Sequence, residues 1–178
     1  MINLDILSQI HYILTLIFGI ALSASFLDAH KQKGGLFKLG LFTVVFSVLQ
    51  QLVYYHFARQ DSIEYFLRFY PFFIHLPLII FLVYAFRAPC FSAVTAVAIA
   101  YSCCQLTKWL GFAGVFFIPD QWFYYAVRIV LVPPILFFIT AYISPYVAVL
   151  LHRPLKEVAI FSIFALNLLF FRLCDHCI

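Results

Sequence analysis

"YPFFIHLPLIIFLVYAFRAP", Tyr70–Pro89, carries no charged residue between Tyr70 and Phe86 and then meets Arg87. The run does not alternate apolar with polar residues, as a barrel strand facing lipid on one side must. It approaches the roughly 20 apolar residues that a helix needs to cross about 30 Å of hydrocarbon. Lipid offers a backbone no hydrogen-bond partners, so a run of this kind spans as a helix. The rest of the chain is built the same way.

Of 178 residues, 66% are hydrophobic, 20% aromatic and only 10% charged. Soluble domains average about 25% charged residues. A soluble chain of this composition would have too little polar surface to face water. The expectation is an all-α polytopic transmembrane bundle of about six spans, forming a single unit over residues 1–178. The spans fall at about 4–27, 36–57, 65–86, 90–107, 123–143 and 158–173. They are separated by "DAHKQKGG" (Asp28–Gly35), "ARQDSIE" (Ala58–Glu64), "RAP" (Arg87–Pro89), "FIPDQW" (Phe117–Trp122), and "ISP" with "LLHRPLKE" (Ile143–Glu157). The first span lacks the basic start of a cleaved signal peptide and is too long for one, so it is expected to be retained. Pro133–Pro134 and Pro77 are expected to kink or break spans 5 and 3.

The net charge of +4 bears on orientation, and no nucleic-acid partner is expected. With the N-terminus outside, the first, third and fifth loops hold Lys31, Lys33, Lys38, Arg87, Arg153 and Lys156. The outer loops and their edges hold Arg59, Arg68 and Lys108. Six against three favours this orientation under the positive-inside rule. An even number of spans then places the C-terminus outside as well.

In this orientation the polar residues of the spans gather at one depth. Gln50, Gln51, Tyr54 and Tyr55 fall in the outer part of span 2, and Tyr70 and His75 in that of span 3. "AYSCCQLTKWLG" (Ala100–Gly111) brings Cys103, Cys104, Gln105 and Lys108 to the end of span 4. Tyr124, Tyr125 and Arg128 begin span 5, and Asn167, Arg172 and Asp175 lie along span 6. The inner halves hold almost nothing polar. Such groups are expensive in hydrocarbon and face a bundle interior or a water-filled cavity. The ligand-binding candidates are therefore Gln50, His75, Gln105, Arg128 and Asp175. Packing hydrogen bonds between helices are the competing account of Gln50, His75 and Arg128. Lys108, Trp109, Trp122 and the tyrosines fit an interfacial belt. Arg128 needs a partner or water, with Asp175 and Glu64 as the candidate carboxylates.

The remaining patterns carry less chemistry. "CDHC" (Cys174–Cys177) is half a zinc site with no second half, so no metal is expected. Cys103 and Cys104 are adjacent and point different ways on a helix, which disfavours a bridge. "ALSAS" (Ala21–Ser25) is a small-residue pattern suited to close helix packing. No phosphate loop, metal-binding helix pair or nucleophile elbow occurs, so neither an enzyme nor a cofactor is expected.

"YPFFIHLPLIIFLVYAFRAP" followed by "AYSCCQLTKWLG" resembles the membrane sensor region of bacterial GHKL-type sensor histidine kinases. There a "YP…HLP" span precedes one ending in a "CCQ…W-G" segment, and "LLFFRLCDHCI" (Leu168–Ile178) is similar to the end of a later span. The resemblance runs from about Phe69 to the C-terminus. Its pattern positions here are Tyr70, His75, Pro77, Cys103, Cys104, Gln105 and Asp175. It implies a two-component signal-transduction receptor that reads an external or membrane-borne cue, a small molecule or a peptide, and signals as a homodimer. The family's kinase domain is absent from this sequence. The expectation is thus a split or truncated receptor, working with a separate kinase subunit or downstream gene piece, or a stand-alone sensor module. Two other readings stand beside it. One is a substrate-binding membrane subunit of a vitamin-type importer, and the other a structural membrane protein whose polar layer only packs.

Overall fold

The structure, a computed structural model, describes residues 4–59, 63–153, 156–160 and 163. Every element in it is helical: α1 Leu4–Phe26, α2 Gly35–Arg59, α3 Ile63–Phe86, α4 Cys90–Val115, α5 Gln121–Phe138 and α6 Ser144–Leu151. A short 3-10 turn, Ala29–Lys31, links α1 to α2, and a π-helical turn, Ile139–Ile143, joins α5 to α6. Four helical stretches are long and apolar enough to cross a membrane: Ile6–Phe26, Gly35–His56, Cys90–Val115 and Gln121–Leu151. Phe72–Phe86 adds a shorter apolar stretch.

α1 is the centre of the bundle. It packs against α2, α4, α5 and α6. Leu16, Phe18, Ile20, Leu22, Ala24 and Phe26 are buried in turn, as expected of a helix apolar all round its circumference. α2 is the opposite case. Phe37 is 75% exposed, Val44 64% and Leu52 61%, an apolar flank suited to lipid.

Between apolar helices in lipid the hydrophobic effect contributes little, so close van der Waals packing has to hold the bundle. α4 supplies it with Ala93, Ala96, Ala100, Cys104, Thr107 and Gly111, all buried. Their spacing of three and four residues lays one narrow stripe along the helix. Gly19 of α1 meets this stripe, since a Cβ there would lie 3.8 Å from Cys104 Sγ.

Successive helices alternate in direction. Gln32 Nε2 donates to Phe86 O at 3.1 Å, Lys38 Nζ to Ala85 O at 3.4 Å and Ser92 Oγ to Leu151 O at 3.0 Å. These bonds bring the 27–38, 85–92 and 151–153 segments to one end of the bundle, together with Lys31, Lys33, Lys38, Arg87 and Arg153. The tight turns there use left-handed backbone at Asp28, Gly34 and Arg87. A side chain at Gly35 would collide with the Ala29 carbonyl.

Three sequence expectations are corrected. Span 4 does not end near residue 107, because α4 runs on to Val115. Thr107 returns its hydroxyl to the Cys104 carbonyl at 2.8 Å, so this polar stretch is compatible with a continuing helix. "ISP" is not a loop. The π turn widens the helix just ahead of Pro145, and that residue then sits in the first turn of α6, where a missing N–H costs nothing. Pro77 and Pro133–Pro134 do not break their helices, which run on past them; the expected kinks are a separate matter of helix axis. The path Gln121–Leu151 is one 31-residue apolar helical stretch, long enough to cross a membrane, with the chain turning at His152 and Arg153. Of the expected sixth span, residues 158–160 and 163 are helical, and the remainder lies outside the described residues.

Candidate functional site

The polar residues converge at the end opposite the cationic loops, and α1 organises them. Its segment Gln9–Thr15 carries His11, Tyr12 and Thr15. The adjacent side chains His11 and Tyr12 project about 100° apart on a helix, so each serves a different flank.

On the first flank, Tyr12 OH donates to Gln50 Oε1 at 3.5 Å, and Gln50 Nε2 donates to Phe73 O at 2.8 Å. Gln50 is 5% exposed and ties α1, α2 and α3 together. The Tyr12 and Tyr54 rings lie 5.6 Å apart beside it. This is a satisfied packing clamp. Gln51, one residue on, turns away from it. With Ser47 a turn earlier it lines a groove of about 350 Å³ between α1 and α2, shared with Gln9, Ile13, Tyr54 and Tyr55. Ser47 Oγ and Gln51 Nε2 are buried without a hydrogen-bond partner.

Between α3 and α4, the His75 and Tyr101 rings meet edge to face at 5.0 Å. Gln105 follows Tyr101 by four residues, so the two share a face of α4, and Gln105 is half-buried.

On the second flank lies Arg128 of α5. Its Nη1 donates to Tyr124 OH at 2.7 Å, and its guanidinium carbon sits 5.1 Å from the Tyr124 ring centre. Arg128 Nε is buried with no hydrogen-bond partner. The stem of the side chain crosses α4 at Gly111, where a Cβ would come within 2.7 Å of Arg128 Cγ. His11 and Cys104 lie within electrostatic reach of the guanidinium. His11 also packs on the Tyr125 ring at 5.8 Å and contacts Thr15 Oγ1 at 3.1 Å. The ion pairs among the described residues are Lys31–Asp28 and Arg153–Glu157, and neither involves Arg128.

The candidate residues thus divide. Gln50 belongs to the α1–α2–α3 flank, His75 and Gln105 to the α3–α4 seam, and Arg128 to the α1–α4–α5 seam. The pattern positions follow the same helices. The backbone of α3 passes through Tyr70 and Pro77, while Cys104 faces α1 and its neighbour Cys103 is half-buried. Cys90, Cys103 and Cys104 are free thiols. Asp175 and the "CDHC" segment lie outside the described residues. Of Glu64 only the helical backbone is described. Among the described residues no group of three or more His, Cys, Asp or Glu side chains could hold a metal ion.

The other half of the bundle is less apolar than the sequence reading held. Ser25 Oγ and Ser144 Oγ are 2.7 Å apart, and Ser23, Ser92 and Thr95 are buried. These are small neutral hydroxyls. Ser23 returns its hydrogen to a carbonyl one turn back, which satisfies it without a partner helix, and Thr95 donates in the same way to Phe91 O. "ALSAS" contributes here as close packing, with Leu22, Ser23 and Ala24 buried.

His11, Tyr12 and Thr15 were not singled out in the sequence, although "QIHYILT" (Gln9–Thr15) places four polar groups within two turns of the first span. Trp109 and Trp122 are exposed at this same end, as an interfacial belt requires.

The fold defines a class: a helical bundle built from membrane-length apolar spans, with a polar layer toward one end. No family model, curated protein or solved structure matches the chain.

Proposed function

We propose that the protein is a receptor-type membrane sensor whose polar layer, at the end opposite the cationic loops, holds an external or membrane-borne cue. The carrying observation is that this layer leaves buried polar groups without a protein partner on both flanks of α1. Gln50 is satisfied by its own hydrogen bonds, but Ser47 Oγ and Gln51 Nε2 beside it are not, and on the other flank a cationic side chain keeps its buried Nε donor unused. A purely structural layer would close these groups. The resemblance of Tyr70–Gly111 to the sensor region of GHKL-type kinases supports the same reading. It carries with it a homodimer and a separate cytoplasmic kinase subunit. The positive-inside rule supports an outward-facing layer, since the lysine- and arginine-rich end belongs in the cytoplasm.

Signalling requires two bundle packings whose balance the cue shifts. The π turn Ile139–Ile143 gives the long α5–α6 rod a discrete irregularity at which to change, a feature frequent at functional sites.

The test is water access from outside. In a chain with its native cysteines replaced, His75→Cys and Gln105→Cys are exposed in intact cells to a membrane-impermeant maleimide. The receptor reading expects both to be modified without permeabilisation. If neither reacts until the membrane is opened, the layer is not reached from outside and the reading fails.

A further inference from the structure

We propose that Arg128 and Tyr124 form a binding site for an oxyanion, a carboxylate or phosphate group, at the seam of α1, α4 and α5. The proposal rests on the receptor reading for its place in the layer, and it names the chemistry that the layer recognises.

Among the described residues, no carboxylate is set against the guanidinium. Tyr124 takes one of its five donors, and Tyr125, Cys104 and His11 lie within its electrostatic reach. A cation held among helices of membrane length needs a counter-charge or water. The guanidinium fork matches two oxygens of a carboxylate or phosphate, and such charge-assisted pairs are the strong ones. The Nε donor of that fork has no protein acceptor.

Depth points the same way. Arg128 lies seven residues inside α5, about 10 Å along its axis. Its bond to Tyr124 directs the head back toward the start of the helix, as snorkelling cations do. The head can therefore meet an anion that enters from the membrane boundary. Gly111 keeps this position open, because any Cβ there would push against the arginine stem. The oxyanion can come from two sources: the phosphate of an anionic lipid, or a free anionic cue.

The experiment uses the full chain in nanodiscs and reads the thermal midpoint. One arm compares phosphatidylcholine discs with discs containing phosphatidylglycerol. A second adds inorganic phosphate or acetate to the phosphatidylcholine discs. Saturating a site that exists only in the folded state is expected to raise the midpoint by about 5 °C. Arg128→Gln should abolish the shift, and Lys33→Gln, at the opposite end, should keep it. A shift in the first arm assigns a lipid headgroup, and a shift in the second a free anion. If no arm shifts the wild type, or if Arg128→Gln keeps the full shift, the proposal is overturned. Should Arg128→Gln fail to fold, Arg128→Lys decides. It keeps the charge without the fork, so an undiminished shift overturns the proposal and a loss of at least half supports it. An Arg128-dependent shift in a protein whose layer resists outside labelling would retain the anion site and remove the external-cue reading. Labelling without a shift would do the reverse.

Discussion

Arg128 of α5 and Gly111 of α4 share one space: a single methyl group at Gly111 would lie 2.7 Å from Arg128 Cγ and 3.0 Å from the Tyr124 ring. The place of the guanidinium is thus set by a missing side chain on the neighbouring helix. Gly111→Ala should displace the arginine stem and cost about 1–3 kcal/mol, as overpacking does. Gly40→Ala is its control, because nothing lies within 4 Å of that position. It should be neutral or stabilising by up to about 1 kcal/mol through helix propensity. Thermal unfolding of both variants in one lipid checks the contrast.

Gln50 holds three helices through a 2.8 Å bond to the Phe73 carbonyl and a longer one to Tyr12. Interhelical hydrogen bonds in membranes are worth roughly 0.6–2 kcal/mol. Gln50→Ala should destabilise by the upper part of that range, because a cavity adds to the lost bonds. Tyr12→Phe should cost less, since its bond is long at 3.5 Å. A cost for Tyr12→Phe above that for Gln50→Ala would contradict the clamp.

An uncompensated cation in a low-dielectric setting is a liability that an apolar side chain removes. Arg128→Met in phosphatidylcholine discs should therefore be no less stable than the wild type. Its midpoint should not depend on added anionic lipid. A fall of several degrees would instead mean that the guanidinium is a structural element of the seam.

Ser25 of α1 and Ser144 at the start of α6 bring their hydroxyls to 2.7 Å, which sets their β-carbons near disulfide range. In a cysteine-free background, Ser25→Cys with Ser144→Cys should cross-link on mild oxidation. After cleavage at a protease site placed in the 116–120 turn, the two pieces should stay joined until reduced. Separation without reductant would contradict the continuous rod that carries Ser144 past the π turn.

Much of this was legible from the chain itself. Long uncharged runs fix membrane-length helices, and the unequal lysine and arginine content of the loops marks one end. The gathering of polar residues toward the other end follows once helices alternate in direction. Side-chain bearing was less legible. Gln50 and Gln51 are neighbours in sequence, yet one is a clamp and the other lines a groove, because successive residues on a helix diverge by about 100°. The length of α4 was misread because Gln105, Thr107 and Lys108 suggest a solvated end. In the structure Thr107 is satisfied by its own helix, and Lys108 lies 5.9 Å from the Phe112 ring centre. The role of α1 was missed for a different reason. Its polar residues are sparse, and their weight comes from its central place, which no local pattern reveals.

An external cue requires the polar layer to face outward, and Cys90 offers an internal reporter at the opposite, cationic end, where it is exposed. With Cys103, Cys104, Cys174 and Cys177 replaced, an impermeant maleimide should leave Cys90 untouched in intact cells. It should label Ile118→Cys, in the turn between α4 and α5, at once. Labelling of Cys90 with protection of Ile118→Cys would place the polar layer toward the cytoplasm and contradict the reading of an external cue.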